Sequence, residues 1–375
     1  ETGLMGVTEL SQIVLEDLDG ANGGTTLYVD NLYFFNSAGS GGGTEPVEAA
    51  PTPTEAAADV VSLFSGAYVD VTVGDFSTTW DTADVSDVQV AGDDVKKYVP
   101  TAAGSDFSPG IGFIGINFDN ANAIDGTGYD TLRLDVWTPD VTNLLVKLVD
   151  FGGDGFGGAL ADSTGTSTQV LVQGGWQTIS IPFSEFITNG LAGVTDLSQI
   201  VLEDLDGANG GTTLYIDNLY FFNSAGSGGG TEPAVAATTP TEAAADVVSL
   251  FSNAYTDVPV GDFSTSWDTA DVSDVQVAGD DVKKYVPAGA NATLGFIGIN
   301  FDNANAIDGT GYDTLRVDVW TPDVTNLLVK LVDFGGDGFG GALADTTGTS
   351  TQVLVQGGWQ TISIPFSEFI TNGLA

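Results

Sequence analysis

Residues 196–222 read DLSQIVLEDLDGANGGTTLYIDNLYFF, and this stretch decides the fold. It holds two runs of β-branched, aliphatic and aromatic residues, SQIVLED at 198–204 and TTLYIDNLYFF at 212–222, on either side of a segment rich in Asp, Asn and Gly. Short runs of this composition that are bounded by turn-forming residues are typical of β-strands. The stretch therefore predicts two strands joined by a short loop.

Similar runs fill the sequence on the N-terminal side of this stretch. They lie at residues 60–64, 95–100, 111–118, 131–137, 143–151, 167–173 and 176–183. Eight or nine short strands within about 165 residues are typical of two packed antiparallel sheets. We therefore predict an all-β fold, a β-sandwich of the jelly-roll type.

Most of the sequence occurs twice in the chain, with few substitutions between the two copies. Residues 6–46 recur at 193–233 with only two substitutions, and residues 112–192 recur at 295–375 with two more. Repeats of this similarity indicate an array of one structural module.

Two segments rich in Gly and Ser, and then in Pro, Thr and Ala, set the phase of the array. The first part of each predicts a flexible linker and the second part a stiffer, extended spacer. We therefore expect C-terminal strands of a module at residues 1–36, a linker at 37–58, a complete β-sandwich module at 59–223, a second linker at 224–245, and at 246–375 a module that lacks its last two strands.

The two incomplete pieces add up to one module. The fragment 1–36 would supply these core side chains: Ile13, Leu15, Leu27, Val29, Leu32 and Phe34. One interpretation is that this fragment completes the 246–375 module of a neighbouring chain by strand donation. Such contacts are head-to-tail and build an open filament. The other interpretation is that the polypeptide continues beyond residue 375.

The charge and the missing residue types exclude several classes of function. The chain has 51 Asp and Glu against 8 Lys and Arg, a net charge of −43, and neither Cys nor His. Nucleic acids and anionic lipids need basic partners, so we expect neither. The absence of Cys and His excludes zinc sites, thiol nucleophiles and imidazole triads, and no catalytic motif is present, so we expect no enzyme. No apolar run is long enough for membrane insertion.

Three segments together resemble a known family. They are NLLVKLVDFGGDGFGG at 143–158, GWQTISIPFSEF at 175–186 and the stretch at 196–222. They resemble the jelly-roll, carbohydrate-binding-like modules found on secreted polysaccharide-degrading enzymes of marine bacteria, including laminarinases. The resemblance implies a β-sandwich with a structural Ca²⁺ and glycan binding. It also implies that the Asp of the last strand, here Asp30 or Asp217, ligates the Ca²⁺.

Two acidic loops in each repeat are candidate Ca²⁺ sites, because Ca²⁺ prefers oxygen ligands. One loop reads EDLDGANGG at 16–24 and 203–211, and the other reads DFGGDGFGG at 150–158 and 333–341. The alternative is that both are turns whose Asp and Gly residues serve only the backbone. The candidate ligands are Asp17, Asp19, Asp30, Asp204, Asp206, Asp217, Asp150, Asp154, Asp333 and Asp337.

A candidate glycan site centres on a Trp in the polar stretch GDFSTTWDTADVSD. An exposed Trp ring stacks on the apolar face of a sugar, and neighbouring carboxylates accept hydrogen bonds from its hydroxyls. The alternative is a Trp that covers an edge of the sandwich. The candidate residues are Trp80, Asp81, Asp84, Trp267 and Asp268, with Tyr68 and Phe76 as an extension.

Two functions follow from these patterns. The first is a secreted or cell-surface structural repeat, a filament or adhesin-like array of copies joined head-to-tail and stiffened by Ca²⁺. The second is a tandem carbohydrate-binding module for a neutral, β-glucan-like polysaccharide, in which repetition supplies avidity. The first predicts polymers without any glycan, and the second predicts a sugar affinity that depends on Trp80 and Trp267.

Overall fold

The computed structural model describes residues 7–37, 43–101, 110–118, 122–224, 231–301 and 305–375. The chain forms two compact units. The insert unit is Gly42–Ser227, and the split unit combines Glu1–Gly41 with Gly228–Ala375. None of the helices in the described ranges has the length and hydrophobicity needed to cross a bilayer.

The insert unit consists of two antiparallel sheets. Its strands are β3 (Val60–Phe64), β4 (Ala83–Val90), β5 (Asp93–Pro100), β6 (Phe113–Asn117), β7 (Thr131–Trp137), β8 (Asn143–Asp150), β9 (Ser163–Val170), β10 (Gln177–Pro182), β11 (Leu197–Asp204) and β12 (Leu214–Phe222). The six-stranded sheet has the order β10-β7-β12-β5-β4, with β3 also paired to β12, and the four-stranded sheet has the order β6-β11-β8-β9. The helix α1 (Phe183–Thr188) follows β10.

The core lies between the two sheets. Its side chains include alternate residues of β7, namely Leu132, Leu134 and Val136, which are completely buried. Ile200 and Leu202 of β11 are at most 1% exposed. The predicted all-β sandwich fold is therefore confirmed, and the strand period of two explains which face of each strand is apolar.

The split unit has the same topology. Its strands are β1 (Leu10–Asp17), β2 (Leu27–Phe35), β13 (Val247–Phe251), β14 (Ala270–Val277), β15 (Asp280–Pro287), β16 (Phe296–Asn300), β17 (Thr314–Trp320), β18 (Asn326–Asp333), β19 (Thr346–Val353) and β20 (Gln360–Pro365), with the helix α2 at Phe366–Thr371. The four-stranded sheet has the order β16-β1-β18-β19. The six-stranded sheet has the order β14-β15-β2-β17-β20, with β13 also paired to β2.

The module at 246–375 is therefore completed by its own chain. Strand β1 lies between β16 and β18, and β2 lies between β15 and β17. The six side chains expected to fill the core are each at most 1% exposed: Ile13, Leu15, Leu27, Val29, Leu32 and Phe34. The sequence left two interpretations open, donation by a neighbouring chain and a polypeptide that continues beyond residue 375. In the structure the same strands close the sheets within one chain, because the first and last pieces belong to one repeat and the insert unit lies between them in sequence.

Part of each expected linker packs on its unit. We call residues 45–55 of the insert unit and 232–242 of the split unit the straps. Ala50 and Ala237 are 6% exposed, and so is Glu55. The Pro- and Thr-rich half of each expected spacer is thus part of the folded unit.

Candidate functional site

A cleft of about 550 Å³ opens on the outer face of the four-stranded sheet in the split unit. It is lined by Gln12, Trp267, Asn300, Phe334 and Phe339. Two of these residues come from paired strands, since Gln12 of β1 stands opposite Asn300 of β16. The other three come from loops at the margins of the sheet.

The side chain of Trp267, which belongs to the loop before β14, packs against the edge strand β16. Its loop follows this strand through two backbone hydrogen bonds, from Thr265 N–H to the Gly298 carbonyl (3.2 Å) and from Thr269 N–H to the Phe296 carbonyl (3.0 Å). The indole stacks on the Phe296 ring at 5.8 Å with an interplanar angle of 27°. It remains 48% exposed, so one part of its surface packs on the strand and another part is free to contact a ligand.

Asp268 holds this loop in place. Its carboxylate accepts hydrogen bonds from Gly298 N–H (3.1 Å) and Ala270 N–H (3.3 Å), and Asp81 accepts in the same way from Gly115 N–H in the insert unit. Burial raises the pKa of both carboxyl groups, although these backbone bonds work against it. The two aspartates therefore position the Trp loop.

Asp84, Tyr68 and Phe76 lie elsewhere. Asp84 is exposed on β4, the edge strand of the six-stranded sheet. The Tyr68 hydroxyl donates to the Glu55 carbonyl at 2.9 Å, and the Lys96 ammonium lies 4.2 Å from the centre of the Phe76 ring. The structure does not bring these three side chains into the site around Trp80.

Phe339 forms an aromatic wall of the cleft. It is 81% exposed and meets the buried Phe334 edge-to-face at 5.5 Å. It sits in the loop DFGGDGFGG, whose Gly335, Gly336, Gly338 and Gly340 all have positive φ. Asp337 closes this loop by accepting a hydrogen bond from Leu343 N–H at 2.9 Å. The glycines thus permit the tight path that presents the Phe339 ring.

The polar groups of the cleft carry no net charge. Asn300 Oδ1 is buried and has no hydrogen-bond partner among the described residues. On the same face the Lys330 ammonium is neutralised by Glu16 at 2.5 Å. Amide groups that both donate and accept, beside a paired charge, suit neutral hydroxyl-bearing ligands.

The insert unit repeats this arrangement. Trp80 is 48% exposed and stacks on Phe113 at 5.7 Å, while Phe156 is 81% exposed and meets Phe151 at 5.5 Å. Gln199 stands opposite Asn117, and the Asn117 Oδ1 is again buried and unpartnered among the described residues. Each unit therefore carries the same set of side chains.

The carboxylates of the first acidic loop accept hydrogen bonds from backbone N–H groups. Asp17 and Asp204 accept from Gly24 N–H and Gly211 N–H at 2.6 Å. Asp19 accepts from Thr325 N–H at 2.7 Å, and Asp206 from Thr142 N–H at 2.6 Å. Asp17 and Asp204 close their own loops, and Asp19 and Asp206 tie these loops to the segments before β18 and β8. Ca²⁺ binding by these four carboxylates stays a prediction.

The second acidic loop behaves in the same way. Asp150 and Asp333 accept from Gly152 N–H (2.7 Å) and Gly335 N–H (2.6 Å). Asp154, like Asp337, accepts from the loop backbone, here Leu160 N–H at 2.9 Å. Within the described ranges no group of three or more Asp or Glu is placed to hold a metal ion.

Asp30 and Asp217 differ from the loop carboxylates. Both are fully buried, and each has one oxygen, Oδ2, without a partner among the described residues. They stand opposite Asp318 and Asp135 on the next strand. Burial raises the pKa of Asp30 to about 8 and that of Asp217 to about 7, and neighbouring carboxylates add to the effect. Ca²⁺ binding by Asp30 and Asp217 stays a prediction.

Four of the five cleft residues were not singled out from the sequence. Gln12 and Asn300 are polar positions within strand patterns, on the face opposite the buried Ile13 and Ile299. Phe339 stands among glycines in a loop. An aromatic residue in such a loop has no core to fill, and this was the available signal.

Comparisons with known proteins gave likeness in structure only. No protein-family model matches the chain, and no curated protein matches it. A family 11 carbohydrate-binding module of the cellulosomal cellulase Lic26A-Cel5E of Clostridium thermocellum is similar at 14% identity and a TM-score of 0.32, over 44% of this chain and 94% of that one.

Two further structures give similar values. A family 11 module from Clostridium thermocellum in complex with a β-1,3-1,4-mixed-linked tetrasaccharide has 15% identity and a TM-score of 0.30, over 44% of this chain and 95% of that one. The family 30 module of the cellulase Cel9D-Cel44B of the same organism has 13% identity and a TM-score of 0.30, over 48% and 96%. These values are too low to carry a conclusion about function.

Proposed function

We propose that each unit is a carbohydrate-binding module that holds one chain of a neutral polysaccharide in its cleft. The observation that carries the proposal is the half-exposed indole of Trp267, fixed on β16 beside two amide side chains and an exposed Phe ring. No part of this arrangement is needed to fill the core.

The chemistry of the cleft fits a sugar. The C–H faces of a pyranose pack on aromatic rings, and its hydroxyls both donate and accept hydrogen bonds. The amide side chains of Gln12 and Asn300 line the cleft and offer both donors and acceptors to such hydroxyls.

The ligand class is further narrowed by charge and size. A chain with a net charge of −43 repels anionic polysaccharides. A cleft of about 550 Å³ is within the range of specific ligand sites and holds a short segment of a single glycan chain. We therefore propose a β-glucan-like, uncharged polysaccharide as the ligand.

Because the insert unit carries the same side chains, we propose two binding units in one chain, which supply avidity. A polysaccharide offers many equivalent segments, so binding in one unit raises the effective concentration of ligand for the other. Polysaccharides of this kind lie outside cells, and we propose that the protein is secreted or displayed at a cell surface.

Electrophoresis through gels that contain a soluble β-glucan tests this function. We expect wild-type protein to be retarded, and the variant Trp80→Ala with Trp267→Ala to migrate as in a gel without glucan. The matched control is Leu18→Ala with Leu205→Ala, which removes side chains that are 43% exposed in other loops. Equal retardation of the double Trp variant and the wild type would overturn the proposal.

A structural array is the second candidate. The observation that favours it is that β1 and β2, near the N-terminus, occupy interior positions in both sheets of the split unit. The same strands from another copy fit the same positions, and such exchange builds a filament of near-identical modules. Light scattering on purified protein, with Ca²⁺ and with a chelator, separates polymers from the monomer that closure within the chain predicts.

A further inference from the structure

The strap of the insert unit is held at regular intervals by side chains of β12 and of loops beside the six-stranded sheet. Trp176 Nε1–H donates to the Glu48 carbonyl (2.8 Å) and Asn218 Nδ2–H to the Pro51 carbonyl (3.0 Å). The Tyr68 hydroxyl donates to the carbonyl of Glu55 at 2.9 Å. Three side-chain donors thus form hydrogen bonds with backbone carbonyl groups of the strap. These carbonyl groups are three and four residues apart in sequence.

Charged contacts fix the two ends of this strap. Glu45 forms an exposed ion pair with the Lys97 ammonium at 2.7 Å. Glu55 is buried, forms an ion pair with the Arg133 guanidinium, and accepts a hydrogen bond from the Tyr220 hydroxyl at 2.7 Å. A buried carboxylate that meets a guanidinium and a hydroxyl is a recognition contact, since leaving either partner alone is costly.

The strap of the split unit repeats every contact. The equivalent bonds are Trp359 Nε1–H to the Val235 carbonyl (2.8 Å), Asn31 Nδ2–H to the Thr238 carbonyl (3.1 Å), the Tyr255 hydroxyl to the Glu242 carbonyl (2.9 Å), Lys284 to Glu232 (2.8 Å), Arg316 to Glu242 (2.7 Å) and the Tyr33 hydroxyl to Glu242 (2.7 Å). Both straps are therefore held by the same set of hydrogen bonds and ion pairs.

The two straps differ in sequence at positions whose side chains take no part in these contacts. Val47, Glu48 and Pro51 become Ala234, Val235 and Thr238. Val47 is 85% exposed, and the other two positions are held through their carbonyl groups. What the straps share is Glu-Pro-x-x-Ala-Ala-x-Thr-Pro-Thr-Glu, which includes every anchoring side chain.

We propose that this face of the six-stranded sheet is a peptide-recognition groove for that motif, and that the strap of a second copy of the chain can occupy it. Extended Pro-containing segments bind in aromatic-lined grooves at low entropic cost. The same side chains in the two grooves hold straps that differ in sequence, so the contacts depend on the motif that the straps share. The covalent connection only raises the local concentration of the chain's own strap.

A labelled peptide of residues 44–56 tests the groove in the full chain. In the variant Glu45→Ala with Glu55→Ala the groove is intact and its own strap has lost both charged anchors. We expect this variant to bind the peptide in fluorescence anisotropy. A peptide with Glu55→Ala should bind about tenfold more weakly or worse, because it leaves Arg133 without its carboxylate.

A groove variant supplies a matched control. Adding Trp176→Phe to the same chain keeps an aromatic ring but removes the indole donor to the Glu48 carbonyl. We expect weaker peptide binding there, with glycan retardation unchanged, because the cleft lies on the other sheet. A variant that is folded by circular dichroism and shows no affinity for the peptide would overturn the proposal.

Proteolysis of the wild-type chain keeps the proposal testable if the variant fails to fold. A glutamyl endopeptidase cleaves after Glu55 and Glu242 only where these residues are released from the sheet. We expect both bonds to resist cleavage while the free 44–56 peptide is cut. Cleavage of the folded chain after Glu55 at the rate of the free peptide would show an undocked linker and contradict the proposal.

Discussion

Gly298 lies directly beneath the indole of Trp267. A Cβ atom at residue 298 would stand 2.6 Å from the indole Cζ2 and 2.7 Å from Cη2. It would also stand 2.4 Å from the Thr265 Oγ1, so a side chain at residue 298 fits only if the Trp267 loop moves away from the strand. Gly115 has the same relation to Trp80. The glycine is therefore what allows each indole to lie on the edge of its sheet.

The first prediction concerns this pair of glycines. In the variant Gly115→Ala with Gly298→Ala, both indoles must leave their strands, and we expect β-glucan affinity to fall at least about tenfold. The matched control is Gly128→Ala with Gly311→Ala, where a new Cβ meets nothing within 4 Å. Affinity electrophoresis checks both. An unchanged affinity in the first variant would show that the position of the indole does not matter for binding.

The second prediction concerns the exposed phenylalanines. Phe156 and Phe339 are each 81% exposed, so their replacement by Ala removes little buried surface. We expect the free energy of unfolding of the double variant to lie within about 0.5 kcal/mol of the wild-type value. We expect its β-glucan affinity to drop because one aromatic wall of each cleft is gone. Calorimetric unfolding and affinity electrophoresis of the same sample check the two effects, and a large loss of stability with normal binding would contradict the assignment.

The third prediction concerns pH. Burial raises the pKa of Asp30 to about 8 and of Asp217 to about 7 from an ordinary value of 3.8. The folded state thus favours the protonated carboxyl groups, and their cost to stability grows as the pH rises from 3.8 and is complete above 8.

Asparagine at both positions removes that cost. At a pH above 8 we expect Asp30→Asn with Asp217→Asn to raise the free energy of unfolding by about 2 kcal/mol. Near pH 3.8 we expect little difference from wild type. Denaturant titrations across this range check the slope. A variant that loses stability toward high pH as steeply as wild type would contradict the account.

The fourth prediction concerns the completion of the split unit. Removal of residues 1–37 takes away β1 and β2 with six core side chains, each worth roughly 1.5–3 kcal/mol. The loss is on the order of 10 kcal/mol, as large as the stability of a typical domain. We expect the unfolding enthalpy to fall to that of the insert unit alone, which serves as the internal control. A truncated chain with the wild-type enthalpy would show that the split unit does not need these strands.

Sequence reasoning predicted the fold because the apolar pattern is local. The runs around Ile200 and Leu214 alternate with period two and end at Gly and Asn, and that information is complete within each strand. Residues 1–36 were expected to complete a module of a neighbouring chain, or else the array was expected to continue beyond residue 375, because sequence similarity identifies the missing strands but not which copy supplies them. Only the folded chain shows which partner they take.

The site was predicted in part for the same reason. Trp80 and Trp267 stood out as large aromatic residues in polar surroundings, and the structure places both half-exposed on a sheet edge. Asp84 did not join them, because neighbours in sequence diverge when the chain crosses from one sheet to the other. The straps were also beyond sequence reasoning, since a composition of Pro, Thr and Ala is common to free linkers and docked ones.

Titration calorimetry with a short β-glucan oligosaccharide tests the central claim most directly. The insert unit repeats the side chains that line the cleft of the split unit, so we predict two equivalent sites in the wild type and one site of unchanged affinity in Trp267→Ala. The variant Trp80→Ala with Trp267→Ala should bind none. Loss of one site with each Trp would establish the clefts as the glycan sites. Wild-type heat of binding in the double variant would contradict the account.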